Sequence, residues 1–225
     1  MVSWSGWYRD RYGSEPIVID NDGHRLVTRV RGLEFCGEDF DALEPVAGAA
    51  AAEGRFVLSG GYLCSFVLEW DVPLPVVVAG DEVGGVLHCR LTAGSPRGPH
   101  GGLDAEELTA TLQFGESVIA TDRPCGFFED ALSSIHRRLP TDTYVKACIS
   151  CAWSDYPPAG QPLFGGMACF RDVKDEYRRA TTKADLFRIL DKRTGWVPET
   201  YLCDQFERRG ADAGYRGSFP GPATP

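Results

Sequence analysis

Residues 7–35 read WYRDRYGSEPIVIDNDGHRLVTRVRGLEF, and this stretch decides the fold class because apolar and polar side chains alternate on both sides of Asn21-Asp22-Gly23. Asn, Asp and Gly adopt the positive φ angles of tight turns, so the pattern predicts a β-hairpin. Only one face of each arm is apolar, which is typical of an antiparallel sheet with one side in water. The residues on the apolar face are Ile17 and Ile19 in the first arm and Leu26, Thr28 and Val30 in the second.

The runs that follow extend the same pattern. RFVLSGGYLCSFVLEWDV, LPVVVAG, GGVLHCRLTAG and LTATLQF are rich in β-branched and aromatic residues and are separated by Gly and Pro. Glu69, Asp71 and Arg90 interrupt them at positions that suit the outward face of a strand. Up to about residue 115 the sequence therefore predicts a mostly antiparallel β-sheet or sandwich.

The character of the chain changes at Arg123-Pro124. Apolar residues from Phe127 to Leu139 recur at helical spacing with acids first and bases last, which predicts a helix that ends before Pro140. A second helix is predicted after Thr182, where Asp185 completes a capping box. We therefore expect an α+β fold with a β-rich acidic part (1–122), an α+β part (123–209) and a flexible, Gly- and Pro-rich tail (210–225), or one continuous domain.

Composition and charge narrow the classes of partner. The 225 residues carry a net charge of −9, and residues 1–125 hold 19 Asp and Glu against 9 Arg, whereas residues 126–225 hold 13 against 14 Lys and Arg. An acidic first half repels phosphate backbones and tolerates a basic protein surface, so nucleic acid is disfavoured as a partner. No run is apolar and long enough for a membrane span, and residues 1–13 lack the apolar core of a signal peptide, so we expect a cytoplasmic protein.

The eight cysteines fall into two groups. Cys36, Cys64, Cys89 and Cys125 are widely spaced beside apolar residues, as expected of small buried side chains. The second group consists of Cys148, Cys151, Cys169 and Cys203, which begins with a Cys-x-x-Cys pair in TYVKACISCAWSDYPPAG. Cys-x-x-Cys can place two thiolates on one Zn²⁺, and two further thiolates complete a tetrahedron. This group predicts a structural zinc site, because four thiolates leave no open position for water or substrate.

Three alternatives to structural zinc stay open. The four cysteines of the second group could be ordinary buried thiols. A thioredoxin-like redox pair is disfavoured, because SDYPPAG after Cys151 cannot start the helix that lowers a thiol pKa in such motifs. In the third alternative only three cysteines bind zinc, and Asp155, His100 or Cys203 lies near an exchangeable water, as in a zinc-dependent hydrolase or another small-molecule enzyme.

Few other residues suggest a catalytic or binding role. Asp155 and Tyr156 could support the zinc site or bind a ligand, although SDYPPAG is also a typical turn. Arg208, Arg209 and Arg216 could form an anion patch or a solvated edge. The four histidines form no catalytic motif, and no nucleophile elbow or phosphate loop is present. We therefore expect a non-enzymatic interaction protein, accessory or immunity-like by analogy only, with a basic protein as partner.

The segments CISCAWSDYPPAG, LFGGMACFR, ETYLCDQFERR and GYRG give the chain a resemblance to an uncharacterised bacterial family of actinomycetes, described only as a domain of unknown function. The resemblance covers most of the chain. It implies a bacterial cytoplasmic protein, and it transfers no activity and no catalytic residue.

Overall fold

The computed structural model describes residues 1–22, 25–97, 103–159, 166–210 and 213–220. The strands in these ranges are β1 (Val2–Asp10), β2 (Gly13–Asn21), β3 (Leu26–Val30), β4 (Leu33–Gly37), β5 (Glu44–Pro45), β6 (Val57–Ser59), β7 (Tyr62–Cys64), β8 (Phe66–Pro73), β9 (Val76–Val78), β10 (Asp81–Val83), β11 (Gly85–Ala93), β12 (Glu106–Phe114), β13 (Ser117–Ala120), β14 (Thr143–Val145), β15 (Ser154–Asp155), β16 (Met167–Cys169) and β17 (Gly195–Val197). The helices are α1 (Ala49–Ala52), α2 (Phe128–His136), α3 (Lys174–Arg179) and α4 (Lys183–Ile189).

One large antiparallel sheet dominates the molecule. Its nine strands lie in the order β13-β12-β11-β8-β1-β2-β3-β4-β5. Smaller sheets are formed by β10-β9-β14, β15-β16-β17 and β6-β7. The expectation of a mostly antiparallel β-fold with a few helices is confirmed.

The two faces of the large sheet differ as the alternating pattern predicts. The five residues assigned to the apolar face of the hairpin, from Ile17 to Val30, are all buried. In β8, Trp70 is buried and Asp71 is exposed, and Arg90 of β11 also points outward. The predicted hairpin is β2 paired with β3, and its turn residues Gly23 and His24 lie outside the described residues. One face of the sheet therefore carries the core, and the other faces water.

Strand β1 occupies the middle of the sheet, between β2 and β8. Gly6 of β1 pairs with Trp70 of β8, and a Cβ at Gly6 would lie 2.3 Å from the Glu69 carbonyl oxygen. At the end of β1, the half-buried Asp10 accepts two hydrogen bonds, of 2.6 and 2.8 Å, from the Arg31 guanidinium in the β3–β4 turn. The alternating pattern identified β2 as the start of the sheet, whereas the structure begins it one strand earlier.

The elements after residue 122 complete the core of the large sheet. Helix α2 ends before Pro140 as predicted, and its buried residues Phe128, Leu132 and Ile135 belong to the same apolar core as the sheet. Strand β14 pairs with β9 from the first part of the chain. Helix α4 begins with the predicted capping box of Thr182. Packing thus crosses the boundary at 122/123, and the division into separate domains stays a prediction.

The structure also bears on the first group of cysteines and on the tail. Cys64, Cys89 and Cys125 are buried as predicted, whereas Cys36 is half-buried on the outward side of β4, because it shares that face with Glu34. In the predicted flexible tail, Ala213 is buried, and residues 211–212 and 221–225 lie outside the described residues. Throughout the described ranges, every helix is too short or too polar to cross a membrane.

Gly6→Ala should destabilise the protein by about 2 kcal/mol, because the added methyl group meets backbone of the neighbouring strand at the centre of the sheet. The measurement is the free energy of unfolding in urea. Gly84→Ala is the control, since a Cβ at Gly84 meets no atom within 4 Å. Equal stability of the two variants would contradict the close approach of β1 and β8.

Candidate functional site

The four cysteines of the predicted zinc site come from three parts of the chain that pair locally. Cys148 begins a short 3-10 turn, and its N–H donates to the carbonyl of Tyr201 at 2.7 Å. This bond holds the Cys-x-x-Cys turn beside the segment that carries Cys203. Cys169 lies on β16, where it pairs with Ser154 of β15. The strand register and these backbone bonds bring the predicted ligands into one region.

Burial and neighbouring charges change the pKa of two of these thiols, Cys148 and Cys169. Cys148, Cys151 and Cys169 are 3–4% exposed, and Cys203 is half-buried. Burial raises the pKa of the Cys148 thiol well above its ordinary value, and the other three thiols raise it further. Burial also raises the pKa of Cys169, against the effect of Arg171. The four sulfur atoms are therefore close enough to interact electrostatically.

The cysteines lie near one another, but their side chains are not arranged as metal ligands. Among the residues that the structure describes, no group of three or more His, Cys, Asp or Glu side chains is arranged so that it could hold a metal ion. The backbone places the four cysteines together, while their side chains, as they stand, do not converge on a single centre.

Asp155 lies at the centre of a buried polar cluster. It is 2% exposed, and its Oδ2 accepts from the Tyr177 hydroxyl at 3.0 Å and from the Arg216 N–H at 3.2 Å. Burial raises the pKa of this carboxyl group, although Arg216 and Arg209 act in the opposite direction. The Tyr156 hydroxyl donates to Glu199 at 3.1 Å. Asp155 and Tyr156 are therefore engaged inside the protein.

The three arginines of the candidate anion patch are separated. Arg208 is exposed, with its guanidinium 4.2 Å from the centre of the Tyr144 ring. Arg209 is 6% exposed and donates to backbone carbonyls and to the Tyr177 hydroxyl. Arg216 lies beside Asp155. A surface patch of all three is not formed, because two of the arginines turn inward to buried acceptors.

Sequence reasoning did not identify Tyr177 and Glu199 as members of this cluster. Tyr177 lies among charged residues of α3, and Glu199 follows Pro198, so neither stands in a recognisable motif. Both are fully buried at 0% exposure. A buried Glu with a tyrosine partner becomes visible only when residues 156 and 199 are brought together by the fold.

The outward face of the large sheet forms an open groove of about 1400 Å³. On its floor, Trp7 and Val18 are 46% and 51% exposed. Glu69 pairs with Arg9 at 2.7 Å and with Arg90 at 3.4 Å. The resulting surface is concave, with an exposed indole ring and a network of charged side chains.

Cross-strand neighbours continue this network. Asp71 of β8 pairs with His88 of β11, and the two side chains are 2.6 Å apart. The groove is lined by five carboxylates, from Glu15, Asp20, Glu34, Glu69 and Asp71, and by three guanidinium groups, from Arg29, Arg31 and Arg90. The excess of carboxylates makes the groove acidic.

A second, smaller cavity adjoins the cysteine region. Its volume is about 170 Å³, and its lining includes Cys169, Arg171 and Tyr201. It is large enough for a few water molecules or a small ligand. Asp155 does not line it, and His100, the other candidate neighbour of an exchangeable water, lies outside the described residues.

Residues 2–154 match the model of DUF6304, a family of unknown function. The chain belongs to this family. The match includes the large sheet, α2 and the Cys-x-x-Cys pair, whereas Cys169, Cys203 and the arginines of the tail lie beyond it. No curated protein and no solved structure matches the chain. The DUF6304 assignment confirms the resemblance to an uncharacterised family and supplies no activity.

In this member of DUF6304, His136 at the end of α2 is a half-buried titratable group. Its ring lies 5.2 Å from that of Phe219 in an edge-to-face arrangement. Burial, and next the charge of Arg208, lower the pKa of His136 from 6.5 to about 4. The folded state therefore favours the neutral ring. The contribution of His136 to the free energy of unfolding is therefore complete above pH 6.5 and is lost as the pH falls toward 4.

We expect the free energy of unfolding to fall by about 2 kcal/mol from this histidine alone between pH 6.5 and 4, after allowance for its partial exposure. The check is urea unfolding at several pH values. His136→Gln should lack this part of the slope, and His88→Gln, on the exposed sheet face, should retain it. Parallel slopes for wild type and His136→Gln would contradict the assignment.

Proposed function

We propose that this DUF6304 member is a non-enzymatic, cytoplasmic interaction protein that binds a basic protein through the outward face of its large sheet, and that a structural zinc ion holds its C-terminal elements in place. The observation that carries the proposal is the groove itself, a concave acidic surface on a sheet whose other face is fully committed to the core. An accessory or immunity-like role fits such a surface by analogy.

Charge supports a basic partner. The chain has a net charge of −9, and the groove holds five carboxylates against three guanidinium groups. Complementary charge steers association and suppresses wrong partners. The pairs that Glu69 and Asp71 form with cationic neighbours are solvent-exposed and contribute little to folding, so their members can exchange partners at low cost. Trp7 supplies the kind of aromatic anchor that is enriched at the centre of protein interfaces.

Support for the zinc component comes from the backbone contacts and strand pairing that place the cysteines in one region, and from the effect of the neighbouring thiols on the pKa of Cys148 and Cys169. Thiolates are the preferred ligands of structural zinc, and a bound ion would draw the four sulfur atoms to about 2.3 Å from itself. The loop between Cys169 and Cys203 contains α3 and α4. Zinc would close this loop and tie both helices to the sheet.

One observation favours the alternative of a zinc-dependent hydrolase or another small-molecule enzyme. The 170 Å³ cavity touches Cys169 and Arg171, where a water on a three-ligand zinc could meet a substrate. X-ray absorption distinguishes the two versions, because four sulfur ligands near 2.3 Å exclude an open position, whereas three sulfur ligands and one oxygen support it.

The groove is tested with a charge-reversal pair. Glu69→Lys with Asp71→Lys should weaken binding of a basic partner on the order of 100-fold, because both the attraction and the existing ion pairs are lost. The experiment captures partners from the native cell with wild type and variant, identifies a protein that only wild type retains, and measures its affinity with purified components.

Glu116→Lys with Asp191→Lys is the matched control, since it changes the net charge equally at exposed positions outside the groove. A captured protein that binds the groove variant and this control equally would refute the proposed surface. Turnover of a small molecule by the purified protein on a metabolite panel, without a specific partner, would refute the interaction role.

Zinc binding gives a separate prediction. Cys203→Ser should lose about one zinc per chain and open residues 140–209 to hydrogen exchange, because thiolate ligation supplies on the order of 10 kcal/mol of binding free energy to the folded state. Chelation should open the same residues and spare much of the large sheet. Metal content and hydrogen exchange are the measurements.

Cys64→Ser is the control for a buried thiol outside the site, and it should keep its zinc. If Cys203→Ser retains full zinc and stability, or if zinc removal causes no preferential opening of residues 140–209, the zinc component is wrong. Cys203 would then be an ordinary half-buried thiol.

A further inference from the structure

Residues 213–220 form a strap beside β15, the strand that carries Asp155, and the strap has no regular secondary structure. Ala213 is buried against the C-terminal core. Gly214, at φ +59°, lies so close to Tyr177 that a Cβ there would be 2.3 Å from the ring carbon Cζ. Hydrogen bonds of Arg209 and Arg216 attach the strap to the rest of the protein.

Arg209 is held firmly between the strap and β15, because all three of its guanidinium nitrogens donate hydrogen bonds. Nε donates to the Cys151 carbonyl at 3.0 Å, and Nη1 donates to the carbonyls of Ala213 and Gly217 at 2.5 and 2.7 Å. Nη2 donates to the Ser154 carbonyl and, at 2.6 Å, to the Tyr177 hydroxyl. Such complete satisfaction offsets the cost of burying the charge.

Arg216 is held differently. Its backbone N–H donates to Asp155, and its Nη2 donates to the Ile149 carbonyl. Its Nε and Nη1 are shielded from solvent and have no hydrogen-bond partner in the described part of the chain. Burial, followed by the charge of Arg209, lowers the pKa of Arg216. An incompletely bonded buried cation is costly, so this side chain is retained less firmly than Arg209.

The surroundings of Arg216 nevertheless suit a guanidinium group. Its Cζ lies 5.6 Å from the centre of the Tyr156 ring and 5.5 Å from that of Phe219. Asp155 and Glu129 are close enough to favour its positive charge. Aromatic faces, a carbonyl oxygen and carboxylates are the groups that recognise arginine in proteins. We call this set, formed by Ile149, Asp155 and Tyr156, the guanidinium seat.

We propose that the guanidinium seat is an exchangeable binding site, which the chain's own Arg216 occupies as a latch and which an arginine side chain of another protein can occupy when the strap is displaced. The seat lies in a different part of the molecule from the groove, since none of its residues lines the groove. The proposal is independent of the partner proposed for the groove and of zinc.

The first test is chemical rescue in the full-length chain. Arg216→Ala empties the seat, and N-methylguanidinium at about 10 mM should raise the unfolding midpoint of this variant by about 2–4 °C and leave wild type unchanged. Tetramethylammonium at the same concentration controls for ionic strength and should shift neither protein. Arg216→Ala combined with Asp155→Asn should lose the rescue. Equal shifts in wild type and Arg216→Ala, or no shift in either, would overturn the proposal.

The second test keeps Arg216 and displaces the strap. Gly214→Ala forces a methyl group against Tyr177, which weakens the hold of the competing Arg216. The blocked peptide GYRGSF should therefore bind this variant at least about 10-fold more tightly than it binds wild type. The matched peptide GYKGSF should bind weakly to both, since an ammonium group does not reproduce the planar guanidinium. Gly84→Ala is the glycine control.

Calorimetry measures the peptide affinity, and hydrogen exchange of residues 144–156 shows whether the segment that contains β15 stays folded. Binding of GYKGSF as tight as that of GYRGSF would mean that the seat recognises charge alone, which contradicts a guanidinium site. Equal affinity of wild type and Gly214→Ala for GYRGSF would mean that Arg216 is not a latch.

Discussion

The pairing of β1 with both β2 and β8 is the constraint on which the rest of the structure depends. β2 follows β1 directly, whereas β8 begins more than fifty residues later, at Phe66, so β1 joins two runs of strands into one sheet of nine. Gly6 permits this, because a side chain at that position would meet the backbone and Cβ of β8. With β1 in the middle, all apolar faces point to one side, and the core, including α2, collects there.

The same constraint produces the groove. Because the core takes one face of the sheet, the outward residues of seven strands are left as a continuous surface, and this surface forms the groove. Its charged residues pair across strands, as Glu69 of β8 does with Arg90 of β11. These pairs keep the surface soluble without filling it, and such a face can serve as a binding surface.

The C-terminal part is organised by buried polar groups as much as by apolar packing. Tyr177, Asp155 and Arg209 exchange hydrogen bonds in a region where the carboxyl group is 2% exposed. Breaking such a set leaves an uncompensated charge, which costs more than the loss of an apolar contact of similar size. The cysteine region lies at the edge of this cluster, since Arg209 bonds the carbonyl of Cys151. The cysteine region, the polar cluster and the strap are therefore neighbours in the structure, joined through Arg209.

The local patterns determined much of the protein. Alternation gave the faces of β2 and β3, helical spacing gave α2, and the Thr182 capping box gave the start of α4. These predictions succeed because each depends on residues a few positions apart. Only the tertiary structure decided that β1 lies beside β8, that Asp155 pairs with the tail, and that Arg209 is buried while Arg208 is exposed. Such outcomes depend on which distant segments pack together in the folded protein. There the cost of removing a charge from water decides which partner the charge must have, and a local sequence pattern does not contain that information.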